Sequence, residues 1–155
     1  LILLFMIFQD IVPLGTLNDI EAIKQEKSTG EIILVTLIGS VQVAILIFLI
    51  LLFIGKKYPL FIKLWLIIHP SFILGGAVMS WWIPYLTGIG AAEKVEGYTV
   101  MFENTHAFLP VMNGIVPNTL HTLFHGVLFF CILLSIYIFV LKPKVPINTK
   151  TEKAS

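Results

Sequence analysis

The sequence predicts an all-α integral membrane protein, because of its composition, its long apolar runs and its uneven distribution of lysines. Hydrophobic residues make up 57% of the 155 residues, charged residues make up 12%, and the mean hydropathy is +0.96. A soluble domain carries about 25% charged residues. Most of this apolar surface must therefore face lipid or other helices. We predict one polytopic transmembrane domain, residues 1–155, built as a four-helix bundle.

Four apolar runs are candidates for the helices, since crossing a bilayer core takes about 20 residues. The predicted spans are residues 1–14, 32–54, 60–86 and 119–141. The first is short and does not begin with methionine, so we interpret it as the remainder of a longer helix or a processed N-terminus. The third has Lys63 near its start and Trp81 and Trp82 near its end. Lysine and tryptophan both suit the membrane–water interface.

Lysines determine the predicted orientation, because the chain contains no arginine. They are concentrated in the second loop and in the C-terminal tail, which four spans would place on the same side. These lysines are Lys56, Lys57, Lys63, Lys142, Lys144, Lys150 and Lys153. Cytoplasmic loops are usually the basic ones. We therefore expect a multi-pass protein with both termini in the cytoplasm and residues 142–155 as a basic cytoplasmic tail.

The predicted third loop, from Gly88 to Asn118, is unusual for a helix connection. Its length of about 30 residues is typical of functional or disordered segments, but its many apolar residues argue against disorder. Prolines and the Asn113-Gly114 pair indicate turns. We expect an ordered outer loop that covers the outer ends of the third and fourth helices.

The stretch PNTLHTLFHG carries the main candidate site. It places His121 and His125 four residues apart, on one face of a helix. Ionisable groups inside a span are costly and are usually functional. The spacing suits two ligands of one metal ion, although Thr122 and Leu123 stand where the helical H-E-x-x-H motif has its glutamate. We predict a metal site near the outer membrane face.

The remaining ligands and the catalytic groups would come from other segments. His106 of the outer loop or Asp10 of the first span would complete the coordination. Imidazoles with a carboxylate suit zinc, iron or copper. Glu103 would either orient a metal ligand by hydrogen bonding or serve as the general base for a metal-activated water, and Asp10 is the second candidate catalytic carboxylate.

Three functions remain open, and whether the chain is an enzyme is undecided. The first is a metal-dependent enzyme acting on a lipid or another apolar substrate; the histidine spacing loosely resembles that of membrane-embedded hydrolases. The second is a non-catalytic accessory subunit of a larger membrane complex. The third is a haem protein with His69 and either His121 or His125 as axial ligands, since the latter two cannot occupy opposite sides of one ring.

The expected partners are membrane lipids, and other membrane subunits or further copies of the chain. Two pairs of small residues, Gly39-Ser40 and Gly75-Gly76, allow close helix packing in either a monomer or a homo-oligomer. Nothing in the sequence indicates nucleic-acid binding. Cys131 is the only cysteine, so no disulfide forms within the chain, and we expect it to be a small buried hydrophobe.

Overall fold

The computed structural model describes residues 1–141, and most of this part of the chain is helical. In chain order the helices are α1 (Ile2–Phe8), α2 (Ile20–Glu26), α3 (Thr29–Leu52), α4 (Leu60–Ala77), α5 (Ile83–Thr87), α6 (Ala92–Phe102) and α7 (Thr119–Ile136). A 3-10 turn covers Gly15–Leu17, and π-helical segments cover Val78–Trp82 and Tyr137–Leu141. The predicted tail, residues 142–155, lies outside the described residues.

Three helical runs are long and apolar enough to cross a membrane: Thr29–Leu52, Leu60–Thr87 and Thr119–Val140. They match the second, third and fourth predicted spans to within three residues at each end. Local chemistry explains where two of them begin. Ser28 and Glu31 form a capping box at the start of α3, and the Asn118 side chain accepts the His121 N–H at the start of α7.

The first predicted span, residues 1–14, differs from the structure. Helix α1 has seven residues, about 10 Å at 1.5 Å per residue, which is too short to cross a bilayer. Beyond it the chain turns around the Asn18 side chain, which accepts from Leu14 N and donates to the carbonyls of Gln9 and Val12. These side-chain hydrogen bonds replace the helical ones. The described residues therefore contain three long spans and one short packed helix, rather than four spans.

Helix α1 nevertheless belongs to the bundle. It packs against α3 and α7, while α4 packs against α7. Buried Phe124, Leu128 and Ile132 of α7 form a core with residues of α1 and α4. On the α3 side, the Met6 side chain lies directly on Gly39, where a Cβ atom would collide with it.

A cap covers one end of the spans; it consists of residues 15–27 and 88–118. Its two helices, α2 and α6, pack together, and Ile23 and Met101 form a buried cluster with Ile32 of α3. The predicted outer loop thus contains a helix, α6, and a tight turn at Asn113-Gly114, where both residues have positive φ. That the cap faces the outside of the membrane stays a prediction. Cys131, expected to be buried, is exposed.

Candidate functional site

His121 is the centre of the candidate site. It lies in the first turn of α7, and aromatic side chains from three other elements surround its ring. The ring centroids of Trp81, Phe102 and Phe5 are 4.7, 5.3 and 5.7 Å from that of His121. Because these residues belong to the π-helical segment, α6 and α1, the imidazole lies where the bundle meets the cap.

Asn118 fixes the hydrogen bonding of His121. Its Oδ1 accepts the backbone N–H of His121 at 2.9 Å, and the His121 Nδ1 lies 2.8 Å from the same oxygen. A carbonyl oxygen can only accept, so Nδ1 must carry a hydrogen. In the neutral ring the lone pair is therefore on Nε2, for which no partner exists among residues 1–141.

Asn118 also joins two segments of the cap to the start of α7. Its Nδ2 donates to Thr105 Oγ1 at 3.3 Å and to the carbonyl of Leu17 at 3.4 Å. The side chain is almost completely buried, with 1% of its surface exposed. Backbone bonds reinforce the junction, since His106 N donates to Thr16 O and Thr119 N donates to His106 O. One buried amide thus connects α7, the 3-10 turn and the segment after α6.

His125 has the opposite arrangement. Its Nδ1 lies 3.1 Å from Nε1 of Trp82, and an indole N–H can only donate. The Nδ1 of His125 is therefore the acceptor, and in the neutral ring the hydrogen is on Nε2. The side chain is buried, with 5% of its surface exposed. The Trp82 N–H therefore occupies the lone pair of the His125 ring.

The π-helical segment Val78–Trp82 brings both tryptophans to the histidines. Such segments often mark functional sites, because the extra residue per turn redirects the side chains that follow. Here Trp81 contacts His121 and Trp82 contacts His125. The hydroxyl of Tyr98 in α6 donates to the carbonyl of Ser80 at 3.0 Å, which holds the cap against this segment.

Asp10 lies just beyond the end of α1, outside the three long spans, and is 8% exposed. Its carboxylate has no hydrogen-bond or ion-pair partner among residues 1–141. Burial raises the pKa of this carboxyl above its ordinary value of 3.8, and the Lys27 ammonium opposes that shift. Asp10 and His121 share no hydrogen bond within the described residues.

The other predicted site residues lie elsewhere. His106 is exposed, and its Nδ1 pairs with Thr119 Oγ1 at 2.7 Å. Glu103 is also exposed, at the end of α6. His69 stacks on Trp65, with ring centroids 5.0 Å apart. Since His69 precedes Trp81 by twelve helical residues, it is about 18 Å from the His121 level. His69 and His121 cannot both bind one haem iron in this arrangement.

The geometry of the pair does not favour a shared metal ion. The ring centroids of His121 and His125 are 6.0 Å apart, whereas two imidazoles on one tetrahedral zinc would be about 5 Å apart. Binding through Nε2 of His125 would also require a hydrogen on Nδ1, directed at the Trp82 N–H. Within residues 1–141, no group of three or more His, Cys, Asp or Glu side chains is placed to hold a metal.

Comparison with known proteins gives no family assignment: no protein family, curated protein or solved structure matches this chain. The site must therefore be interpreted from its own chemistry.

Sequence reasoning paired the histidines correctly on one helical face but missed their partners. Trp81 and Trp82 were interpreted as interfacial residues, and Phe5, Phe102 and Lys27 carried no signal of their own. One available clue was that a buried indole N–H usually has a hydrogen-bond partner.

Proposed function

We propose that this chain is a non-catalytic accessory subunit of a membrane assembly, in which His121 contributes to the junction between α7 and the cap and His125 ties α7 to the run Leu60–Thr87. One observation carries the proposal: the Nδ1 atoms of His121 and His125 are both engaged by protein side chains, buried Asn118 and half-buried Trp82. Groups tied in this way stabilise a junction between elements.

The exposed surface of the spans supports the assembly part of the proposal. Helix α3 packs mainly against short α1, and its side chains at Ile33, Leu37, Phe48 and Leu51 are between 58% and 61% exposed. Surface of this kind must be covered by lipid or by helices of other subunits. The proposed orientation places the cap outside the membrane and the basic loop at Lys56 and Lys57 in the cytoplasm, following the positive-inside bias.

A metal-dependent enzyme is the second candidate, and it is favoured by the free lone pair on Nε2 of His121. The Nδ1–H bond to Asn118 resembles the way proteins orient a metal-binding imidazole. A zinc, iron or copper ion would then be bound through Nε2 of His121, with Asp10 as the candidate carboxylate, and not by the pair of histidines. His106 and Glu103 would need to move from their exposed positions to take part.

The two candidates can be separated on the purified full-length protein in detergent, by elemental analysis and thermal unfolding. For the accessory role we expect no stoichiometric metal. His121→Ala and Asn118→Ala should each lower the free energy of unfolding by about 2–4 kcal/mol, since each leaves buried polar groups unpaired. His106→Ala is the matched control, because that ring is exposed, and should cost about 0.5 kcal/mol or less.

Native electrophoresis of gently solubilised membranes tests the assembly itself. The protein should migrate in a complex heavier than two copies of its own 17.4 kDa. Stoichiometric metal that is lost in His121→Ala would replace this proposal with the metal-dependent candidate. Migration only as a monomer or dimer would contradict the accessory role.

A further inference from the structure

A partly open cavity lies between α1, α3, α4 and α7 and extends toward the end of the spans opposite the cap. Its volume is about 280 Å³. Met6 of α1 lines it and packs on Gly39, whereas the lining residues of α3 begin at Val43 and continue to Ile50, near the end of that helix. The seven residues of α1 therefore cover only the part nearer the cap, and α3, α4 and α7 surround the rest.

The walls of the cavity favour an apolar occupant. All lining side chains are apolar except those of Cys131 and Ser135, and the Ser135 hydroxyl already donates to the carbonyl of Cys131 at 2.9 Å. Apolar cavities of about 150 Å³ stay free of water and bind molecules such as benzene. A cavity of about 280 Å³ therefore suits part of a hydrocarbon chain.

The cavity lies at the depth of lipid chains along the run Leu60–Thr87, one of the three that are long and apolar enough to cross a membrane. Leu66, Pro70 and Ile73 line it. They are about 9, 15 and 20 Å from the start of that run, at 1.5 Å per residue. Since the hydrocarbon core of a bilayer is about 30 Å thick, the surroundings of the cavity are acyl chains.

Lys63 lies at the end of the cavity opposite the cap. It shares a face of α4 with the lining residues, since Leu66, Pro70 and Ile73 follow it at spacings of three, seven and ten residues. Lys63 is half-buried and about 5 Å from the start of α4, where an ammonium group can reach the lipid headgroups. It forms no ion pair with a carboxylate of residues 1–141.

The loop between α3 and α4 adds positive charge at the same end. Lys56 and Lys57 of this loop are both exposed. The hydroxyl of the neighbouring Tyr58 donates to the carbonyl of Ile50 at 3.0 Å, and Ile50 lines the cavity. No Asp or Glu occurs in residues 32–92 or 104–141. The cavity therefore ends at a basic surface that these spans do not neutralise.

We propose that the cavity holds one acyl chain of an anionic phospholipid, whose headgroup phosphate pairs with the ammonium of Lys63. Such a lipid joins the two features that the cavity requires, an apolar chain and a negative charge at the membrane interface. Lys56 and Lys57 attract a headgroup of net negative charge, whereas they repel the cation of a zwitterionic headgroup. The site is independent of the proposed function, because it uses neither the cap nor the two histidines of α7.

Native mass spectrometry of the full-length protein in neutral detergent tests the headgroup. With phosphatidylglycerol and phosphatidylcholine of the same chain length in equal amounts, one phosphatidylglycerol per chain should be retained in preference. Lys63→Gln should lower the affinity for it about fivefold, as expected for one lysine at an anionic surface. Lys24→Gln is the matched control, because it removes the same charge from α2 in the cap, and should bind as the parent does. Equal retention of the two lipids, equal losses in the two variants, or no retained lipid would overturn the proposal.

Filling the cavity tests the acyl chain. Cys131→Phe places a ring in the cavity and should remove most of the phosphatidylglycerol retention, whereas Cys131→Ala leaves the space open and should retain the lipid. Phe130→Trp adds bulk at a neighbouring position that is 65% exposed and does not line the cavity, and should also retain it. Undiminished binding in Cys131→Phe would contradict the placement of the chain. Thermal unfolding without added lipid shows whether each variant folds; Leu46→Phe, which fills the cavity from α3, gives the same readout if Cys131→Phe does not fold.

Discussion

His121 and His125 look equivalent in the sequence, but their hydrogen-bond partners give the two rings different chemistry. Asn118 can only accept from the Nδ1 of His121, whereas Trp82 can only donate to the Nδ1 of His125. The first ring therefore keeps a lone pair on Nε2, and the second keeps a hydrogen there. Judged by residue type alone, the two rings are equivalent metal ligands. Because of their neighbours, only His121 keeps a ring lone pair free to bind a metal ion.

The buried carboxyl of Asp10 predicts how the free energy of unfolding depends on pH. Because burial raises the pKa of its carboxyl in the folded protein, the folded state holds a proton that the unfolded state has already released. The free energy of unfolding should therefore decrease as the pH rises from about 4, the ordinary aspartate range, through the folded-state pKa. Asp10→Asn should remove this part of the pH dependence and raise the free energy of unfolding at pH 7 by about 1 kcal/mol. Thermal unfolding in detergent between pH 4 and 8 measures both effects.

Two variants serve as controls for Asp10. Glu96→Gln removes an exposed carboxylate on α6 and should leave the pH profile as in the parent. Lys27→Met removes the ammonium that opposes the shift, so the decrease should extend to higher pH. An unchanged profile in Asp10→Asn would mean that this carboxyl is not buried as described.

At the scale of elements, the tight turn between α6 and α7 positions the cap. Asn113 and Gly114 have φ values of 51° and 77°, and Met112 and Ile115 exchange two backbone hydrogen bonds of 3.0 Å across them. The Asn113 side chain donates to the carbonyl of Tyr85 at 2.8 Å. The turn thus attaches the cap to the end of the run Leu60–Thr87.

Gly114→Ala should destabilise the protein by about 1–3 kcal/mol. Alanine is strained at this φ, and its Cβ would lie 2.9 Å from Cγ2 of Val95. Gly30→Ala is the control, because this glycine lies in the first turn of α3 with ordinary helical φ, and an added methyl group would meet no atom within 4 Å. That change should be neutral or stabilise by up to about 1 kcal/mol. Thermal unfolding compares the two variants, and equal stability would show that the turn is not formed.

At the scale of the whole molecule, the cap gathers the starts of α3 and α7 at one end of the spans. Phe102 of α6 contacts His121 of α7 and packs on the cluster that contains Ile32 of α3. Residues 53–59, between α3 and α4, are consequently at the other end. The basic residues Lys56 and Lys57 belong to that second end, so the charge asymmetry predicts which end faces the cytoplasm.

Thiol labelling in intact cells tests this orientation, again with Cys131→Ala. Ser28→Cys and Asn113→Cys belong to the cap end and should react with an impermeant maleimide from outside. Ser155→Cys should react only after the membrane is permeabilised. Labelling of the C-terminal position from outside, with the cap positions protected, would reverse the orientation.

The sequence predicted the long elements well because their signals are local. The three spans were located to within three residues, since hydrophobic length is a property of each segment alone. Residues 1–14 are not confirmed as a span, because Asn18 takes the backbone hydrogen bonds beyond α1, and no apolar pattern reports such a side-chain turn. For the site, the helical spacing of His121 and His125 was predictable, whereas the exposed positions of His106 and Glu103 depend on how the cap folds.

The sequence by itself determined a helical chain with three segments long and apolar enough to cross a membrane, with paired imidazoles on one face of the last segment and a turn at Asn113-Gly114. Each of these follows from composition, helical period or the φ preference of a few adjacent residues. Only the tertiary structure decided that Trp82 donates to His125 and that Asn118 joins α7 to Leu17 and Thr105. Those contacts join residues up to 101 positions apart, and the packing of several helices, which no local pattern encodes, brings them together.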